Sequence, residues 1–84
     1  MIIAVVGNKQ EFLYWCHEDE IHVRQGGVLG EKENTTYVCC NVGNNALGRI
    51  FDDAVFLRSS YLDKNMEHLS DIVLNNIEEV NEND

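Results

Sequence analysis

Two sets of residues in this chain have the types that could do chemistry, and their spacing decides what each is equipped for. The first set holds Cys16, Cys39 and Cys40, the histidines His17, His22 and His68, and the neighbouring acids Asp52 and Asp53. A zinc site is built on Cys-x-x-Cys or His-x-x-x-His spacings, and neither occurs. Cys16-His17, Cys39-Cys40 and His22 would have to be gathered by the fold. Small buried hydrophobes are the better reading of three cysteines, whose odd count also makes a poor disulfide framework. No histidine stands at a nucleophile-activating spacing from a serine or cysteine, and surface positions suit all three. Asp52-Asp53 could trade protons only inside a groove, and a solvated turn accounts for the pair more simply. The expectation is a chain that is not an enzyme, with no catalytic residue, metal or cofactor.

The second set is polar and clusters after three oily stretches. Gly7-Asn8-Lys9 follows Met1–Val6, Asn41 and Gly43-Asn44-Asn45 lie at the end of Thr35–Val42, and Arg58-Ser59-Ser60 follows Ala54–Leu57. In an open parallel sheet, ligands bind beyond the carboxyl ends of the strands, where a helix N-terminus also offers free amides to an anion. Asn8, Lys9, Asn44, Asn45, Arg58 and Ser59 are therefore the candidate ligand-binding residues for an anion or nucleotide. The same residue types also suit ordinary turns and caps.

The elements that must position these residues follow from periodicity. Met1–Val6 is an apolar, largely β-branched run, the pattern of a strand covered on both faces. Asn8 with Glu11 three residues on has the capping-box form, and Phe12, Trp15 and Cys16 give the ensuing helix an apolar stripe. That helix fades at Glu18-Asp19-Glu20, since three acids oppose its dipole. Ile21–Asn34, broken by Gly26, Gly27 and Gly30, reads as a loop, with a short extended piece at Ile21–Val23 left open. Thr35–Val42 has strand composition, Ala46-Leu47-Gly48 makes at most one helical turn, and Asp53–Leu57 is a third strand. Ser60–Asp63 repeats the capping-box form. Met66, Leu69, Val73, Ile77 and Val80, broadened by Ile72, then draw one stripe down a final helix. Glu67, Asp71, Asn75 and Glu78 face water.

The order strand-helix-strand-turn-strand-helix predicts an α/β fold, a small three-stranded and mainly parallel sheet carrying two main helices. It occupies residues 1–80 as one domain, with 81–84 a frayed acidic tail. A core this thin leaves dimerisation open.

Charge narrows the partner. The 84 residues hold 15 acids against 6 lysines and arginines, a net charge of −9. This argues against a nucleic-acid backbone, and the apolar runs are too short to cross a bilayer. No basic region precedes the first of them, as a signal peptide requires, and the unpaired cysteines suit a reducing cytoplasm. Glu18, Asp19, Glu20, Glu67, Asp71 and Glu78 are the candidate partner-binding residues, addressed to a protein with a basic surface; solubility alone would also explain them.

Tyr37-Val38 followed by Gly48-Arg49-Ile50-Phe51-Asp52-Asp53 and Ala54–Leu57 resembles a segment of phage and bacterial motor ATPase cores. In those cores a glycine–basic–x–Phe–Asp–acid turn leads into the strand carrying the magnesium-binding acid. Similar strings occur in small phage proteins built as one α/β unit. The resemblance covers roughly residues 35 to 60. The phosphate loop such ATPases need is absent, as Gly7-Asn8-Lys9-Gln10 supplies one glycine and no Ser or Thr. Arg58-Ser59-Ser60 stands where the metal-binding acid would follow the third strand, and the Rossmann glycine pattern is missing too. The resemblance implies a phage or mobile-element origin. The charge, the small size and the lack of a complete catalytic set add the expectation of a non-catalytic protein that binds and modulates a host protein through an acidic face. A Rossmann-like domain for a small ligand or nucleotide is the alternative.

Overall fold

The computed structural model describes residues 1–42 and 46–77. Strand β1 (Ile2–Val6) runs into helix α1 (Lys9–Glu18), then β2 (His22–Arg24), β3 (Leu29–Lys32), β4 (Thr35–Cys40) and β5 (Asp53–Phe56). The short helix α2 (Ser59–Leu62) and helix α3 (Lys64–Asn75) complete the chain order. The five strands form one sheet in the order β2-β3-β4-β1-β5. β1 is parallel to both β4 and β5, whereas β2–β3 and β3–β4 are antiparallel.

This corrects the expected three-stranded, mainly parallel sheet. Among the described residues the sheet has five strands and is mixed, and three helices accompany it, because the stretch read as a loop is a β-hairpin. The glycines of that stretch sit where the chain must turn or approach closely. Gln25, Gly26 and Gly27 all take left-handed φ, at 55°, 70° and 81°, and reverse the chain between β2 and β3. Gly30 lies inside β3, where an added Cβ would come within 2.7 Å of Ile21 Cγ2. The next reversal uses only Glu33 and Asn34, at φ 50° and 65°, between the paired residues Lys32 and Thr35. Two positive-φ central residues make a two-residue hairpin turn. Glu-Asn is a weak sequence signal for it.

Alternation along β1 divides the core between the two sheet faces. Val5 joins Phe12 and Cys16 of α1, Ile21, Cys39 and Leu57 on one face. Ala4 and Val6 join Val38, Cys40, Phe51 and, from α3, Met66, Leu69 and Val73 on the other. The two main helices thus cover opposite faces, and the last three residues of β1, Ala4, Val5 and Val6, are fully buried. The strand's start is not covered as the apolar run suggested, since Ile2 is exposed.

Helix ends follow local chemistry. Asn8 Oδ1 accepts the Glu11 amide at 2.7 Å and starts α1. Glu20 at φ 56° and an Ile21 amide donated to Cys16 O at 2.8 Å close it. The second capping box does not form. Ser60 instead donates its hydroxyl to Leu57 O at 2.6 Å, and Asp63 caps α3 by accepting the Asn65 amide at 2.8 Å. Helix α3 ends at Asn75, one turn short of the expected stripe, and Ile77 leaves it to bridge Phe51 in parallel. Val80 and the tail at 81–84 lie outside the described residues.

Candidate functional site

The carboxyl edge of β1 and β5 is the place the sequence marked for a ligand, and the chain's own atoms fill it. The Glu11 carboxylate accepts the Arg58 amide at 2.8 Å and the Ser59 amide at 3.0 Å. Ser59 Oγ in turn accepts the Asn8 amide at 2.9 Å. Hydrogen bonding from the Ser59 side chain is the largest cause holding the Glu11 carboxyl below its ordinary pKa; desolvation opposes it, and the two amides and the Arg58 charge add to the lowering. Gly7 lets the end of β1 reach this corner, because a Cβ there would stand 2.7 Å from Leu57 Cβ and 3.0 Å from Ser59 Oγ. Two of the amides an anion could use, those of Arg58 and Ser59, are already donated to Glu11.

Of the sequence-predicted ligand residues, the structure brings Asn8, Arg58 and Ser59 together at this corner. Lys9 is exposed, and its stem lies against the Gly27 turn. Asn44 and Asn45 lie outside the described residues. Asn41 lines a separate recess of about 500 Å³ with Val42, Asp63, Met66 and His68.

The predicted partner-binding acids do not form one face. Glu18, Asp19 and Glu20 are exposed at the end of α1, where Asp19 O accepts Lys32 Nζ at 2.6 Å. Glu67 and Asp71 are exposed on α3, across the sheet. Glu78 lies outside the described residues. Asp52 and Asp53 serve the start of β5, accepting the Ile2 amide at 2.7 Å and the Ala54 amide at 2.8 Å. They act there as strand-edge caps.

The thiols have a structural environment. Cys16, Cys39 and Cys40 are buried thiols outside any disulfide, and burial is the main cause pushing them up to about 11, 11 and 12. Cys39 and Cys40 belong to opposite sheet faces, so the pair cannot converge on one ion. Among the described residues no three His, Cys, Asp or Glu side chains are grouped to hold a metal. His17, His22 and His68 are exposed.

Sequence reasoning missed a groove of about 520 Å³ between the end of β5 and the outer side of α3. Phe56, Tyr61 and Leu74 form its apolar walls, and Glu67 and Asp71 supply its carboxylates. The hydroxyls of Ser60 and Ser70, which also line it, donate to Leu57 O and Met66 O at 2.6 and 2.7 Å. The sequence did carry a signal. Leu74 stands seven residues after Glu67 and three after Asp71, an apolar residue in an otherwise polar helical stripe. Among the described residues no helix is long and apolar enough to cross a membrane. Comparison with family models, with curated proteins and with solved structures found no match to this chain.

Proposed function

We propose that this chain is a non-catalytic acidic interaction protein, of phage or mobile-element type, that binds a basic surface of a cytoplasmic host protein and modulates it. The observation that carries the reading is the groove beside α3, where apolar walls meet two carboxylates with no cation among the described residues that line it. The net charge of −9 favours encounter with a basic surface. The alternative, a pocket for a nucleotide or small anion at the carboxyl edge, has two of its amide donors, those of Arg58 and Ser59, already engaged by Glu11.

The test is capture of a partner from the native host, followed by titration of the purified pair between about 50 and 300 mM salt, a range over which charge screening changes strongly. Affinity is expected to fall steeply as salt rises, and an affinity indifferent to salt would sink the reading. ATP and inorganic phosphate at millimolar concentration are expected to leave the melting temperature unchanged. A clear rise with either would favour the small-ligand alternative.

A further inference from the structure

The groove can be matched to an occupant. Its apolar walls are Phe56, the last residue of β5, with Tyr61 and Leu74, which are 69% and 53% exposed. What sets these side chains apart from the other exposed apolar residues is that they line one groove together, and contiguous apolar surface marks a contact site. Its volume of about 520 Å³ lies in the range of ligand pockets. Glu67 and Asp71 are one turn apart on α3, and Leu74 is the next residue along that stripe. One apolar side chain seated between Phe56, Tyr61 and Leu74 would therefore carry its chain neighbours past both carboxylates.

Three occupants are available, and charge separates them. A second copy brings another −9 and its own Asp52 and Asp53. The chain's residues 78–84 contain Glu78, Glu79, Glu82 and Asp84 and no cation, so they meet Glu67 and Asp71 as like charges. A partner segment with lysines or arginines around a leucine-sized side chain is attracted by the same carboxylates that repel the other two. β5 is the outermost strand of the sheet beyond β1, so such a segment can lie extended along its flank.

We propose that the groove between β5 and α3 is the anchor site for a basic partner segment, taking one leucine-sized side chain between Phe56, Tyr61 and Leu74 and the flanking cations on Glu67 and Asp71. This rests on the acidic-interaction reading and specifies where on the chain it acts.

The experiment uses the full chain and two nine-residue lysine-rich peptides, one with a central leucine and one with a central alanine, followed by NMR titration and calorimetry. The leucine peptide is expected to bind about tenfold more tightly, as burying the extra methylenes implies, with shifts concentrated on Phe56, Tyr61 and Leu74. Leu74→Asp is expected to reduce the leucine peptide to the level of the alanine peptide. Glu67→Gln with Asp71→Asn should weaken both peptides and flatten their salt dependence, whereas Glu18→Gln, Asp19→Asn and Glu20→Gln together should weaken them less despite removing more charge. Thermal melts verify that each variant is folded.

Equal, salt-dependent affinities for the two peptides would overturn the groove and leave the acidic-interaction reading standing. No binding of either would overturn both. A chain ending at Ile77 that binds the leucine peptide tenfold more tightly would assign the groove to residues 78–84. A dimer seen by sedimentation and abolished by Leu74→Asp would assign it to a second copy. Either result overturns the proposal.

Discussion

The segment Arg58–Leu62 has two neighbourhoods with opposite fates. On one side, the amides of Arg58 and Ser59 donate to Glu11, and Gly7 lets β1 close against Leu57 and Ser59. On the other side, Tyr61 faces the open groove with Phe56 and Leu74. The closed corner sits where open parallel sheets place ligands, and the open groove sits on the outside of a helix. The difference shows how a chain of this size uses its polar groups. With a small core to hold β1, α1 and α2 together, the donors at the strand ends are committed to joining them. Open apolar surface is left where apolar side chains exceed what the fold buries.

The strongest way to break that comparison is to force the closed corner open. Gly7→Ala puts a methyl 2.7 Å from Leu57 Cβ, so the β1 end or the Leu57 backbone must move. The expected cost is about 2 kcal/mol, in the range for overfilling a tight contact, read as a lower urea midpoint. A variant as stable as the parent would show that the corner yields easily, and the contrast with the groove would fail.

Glu11→Gln is a gentler cut at the same corner. The geometry can keep one amide partner but loses the charge, for an expected loss of about 1 kcal/mol at neutral pH, discounted toward the low end because the carboxylate is well solvated. The pH dependence has a definite sign. A carboxyl whose folded pKa lies below its ordinary 4.5 stabilises the fold above that value, and the contribution disappears as pH falls through the folded pKa. The gap between parent and Glu11→Gln should therefore be full at pH 6 and shrink as pH falls below the ordinary carboxyl value of 4.5 and through the lower folded one. A gap independent of pH would mean that the charge on Glu11 does not matter to the clamp.

Some of this architecture was legible in the sequence, and the reasons are local. β1 announced itself as a run of β-branched residues, α1 through Asn8, Phe12 and Cys16, and α3 through the Met66–Leu69–Val73 stripe. The β2–β3 hairpin was hidden because its strands are only three and four residues long. Its second reversal uses Glu33-Asn34 in place of a glycine-containing pair. Asn8, Arg58 and Ser59 were correctly placed at one edge, but the residue that occupies the edge, Glu11, had been read as a partner of Asn8 alone. A capping-box spacing predicts a contact within the helix. It carries no information about amides 47 and 48 residues away. The groove was missed for a related reason: Phe56, Tyr61 and Leu74 come from three different elements, and only the fold shows that they meet.

The hairpin supplies a control that changes stability without touching either side of Arg58–Leu62. Glu33→Asn with Asn34→Gly replaces two strained side chains at φ 50° and 65° by the residues that favour this turn. A gain of about 0.5–1 kcal/mol in unfolding free energy is expected. Peptide binding at the groove should be unchanged. If binding moved with stability, the groove would be responding to the whole fold, and the comparison would need a third term.

Tyr61→Ala should give the smallest stability change and the clearest contrast. Tyr61 is 69% exposed and belongs to a four-residue helix whose anchoring comes from Ser60 and from the amides held by Glu11. Removing its ring takes little out of the core, so the unfolding free energy should stay within about 0.5 kcal/mol of the parent. The same change removes a wall of the groove and should cost the leucine-centred peptide most of its advantage over the alanine-centred one. Gly7→Ala is expected to do the reverse, lowering stability while leaving that advantage intact. If Tyr61→Ala destabilised the chain as much as Gly7→Ala, the ring would be part of what holds α2 in place, and the groove could not be regarded as surface left over by folding.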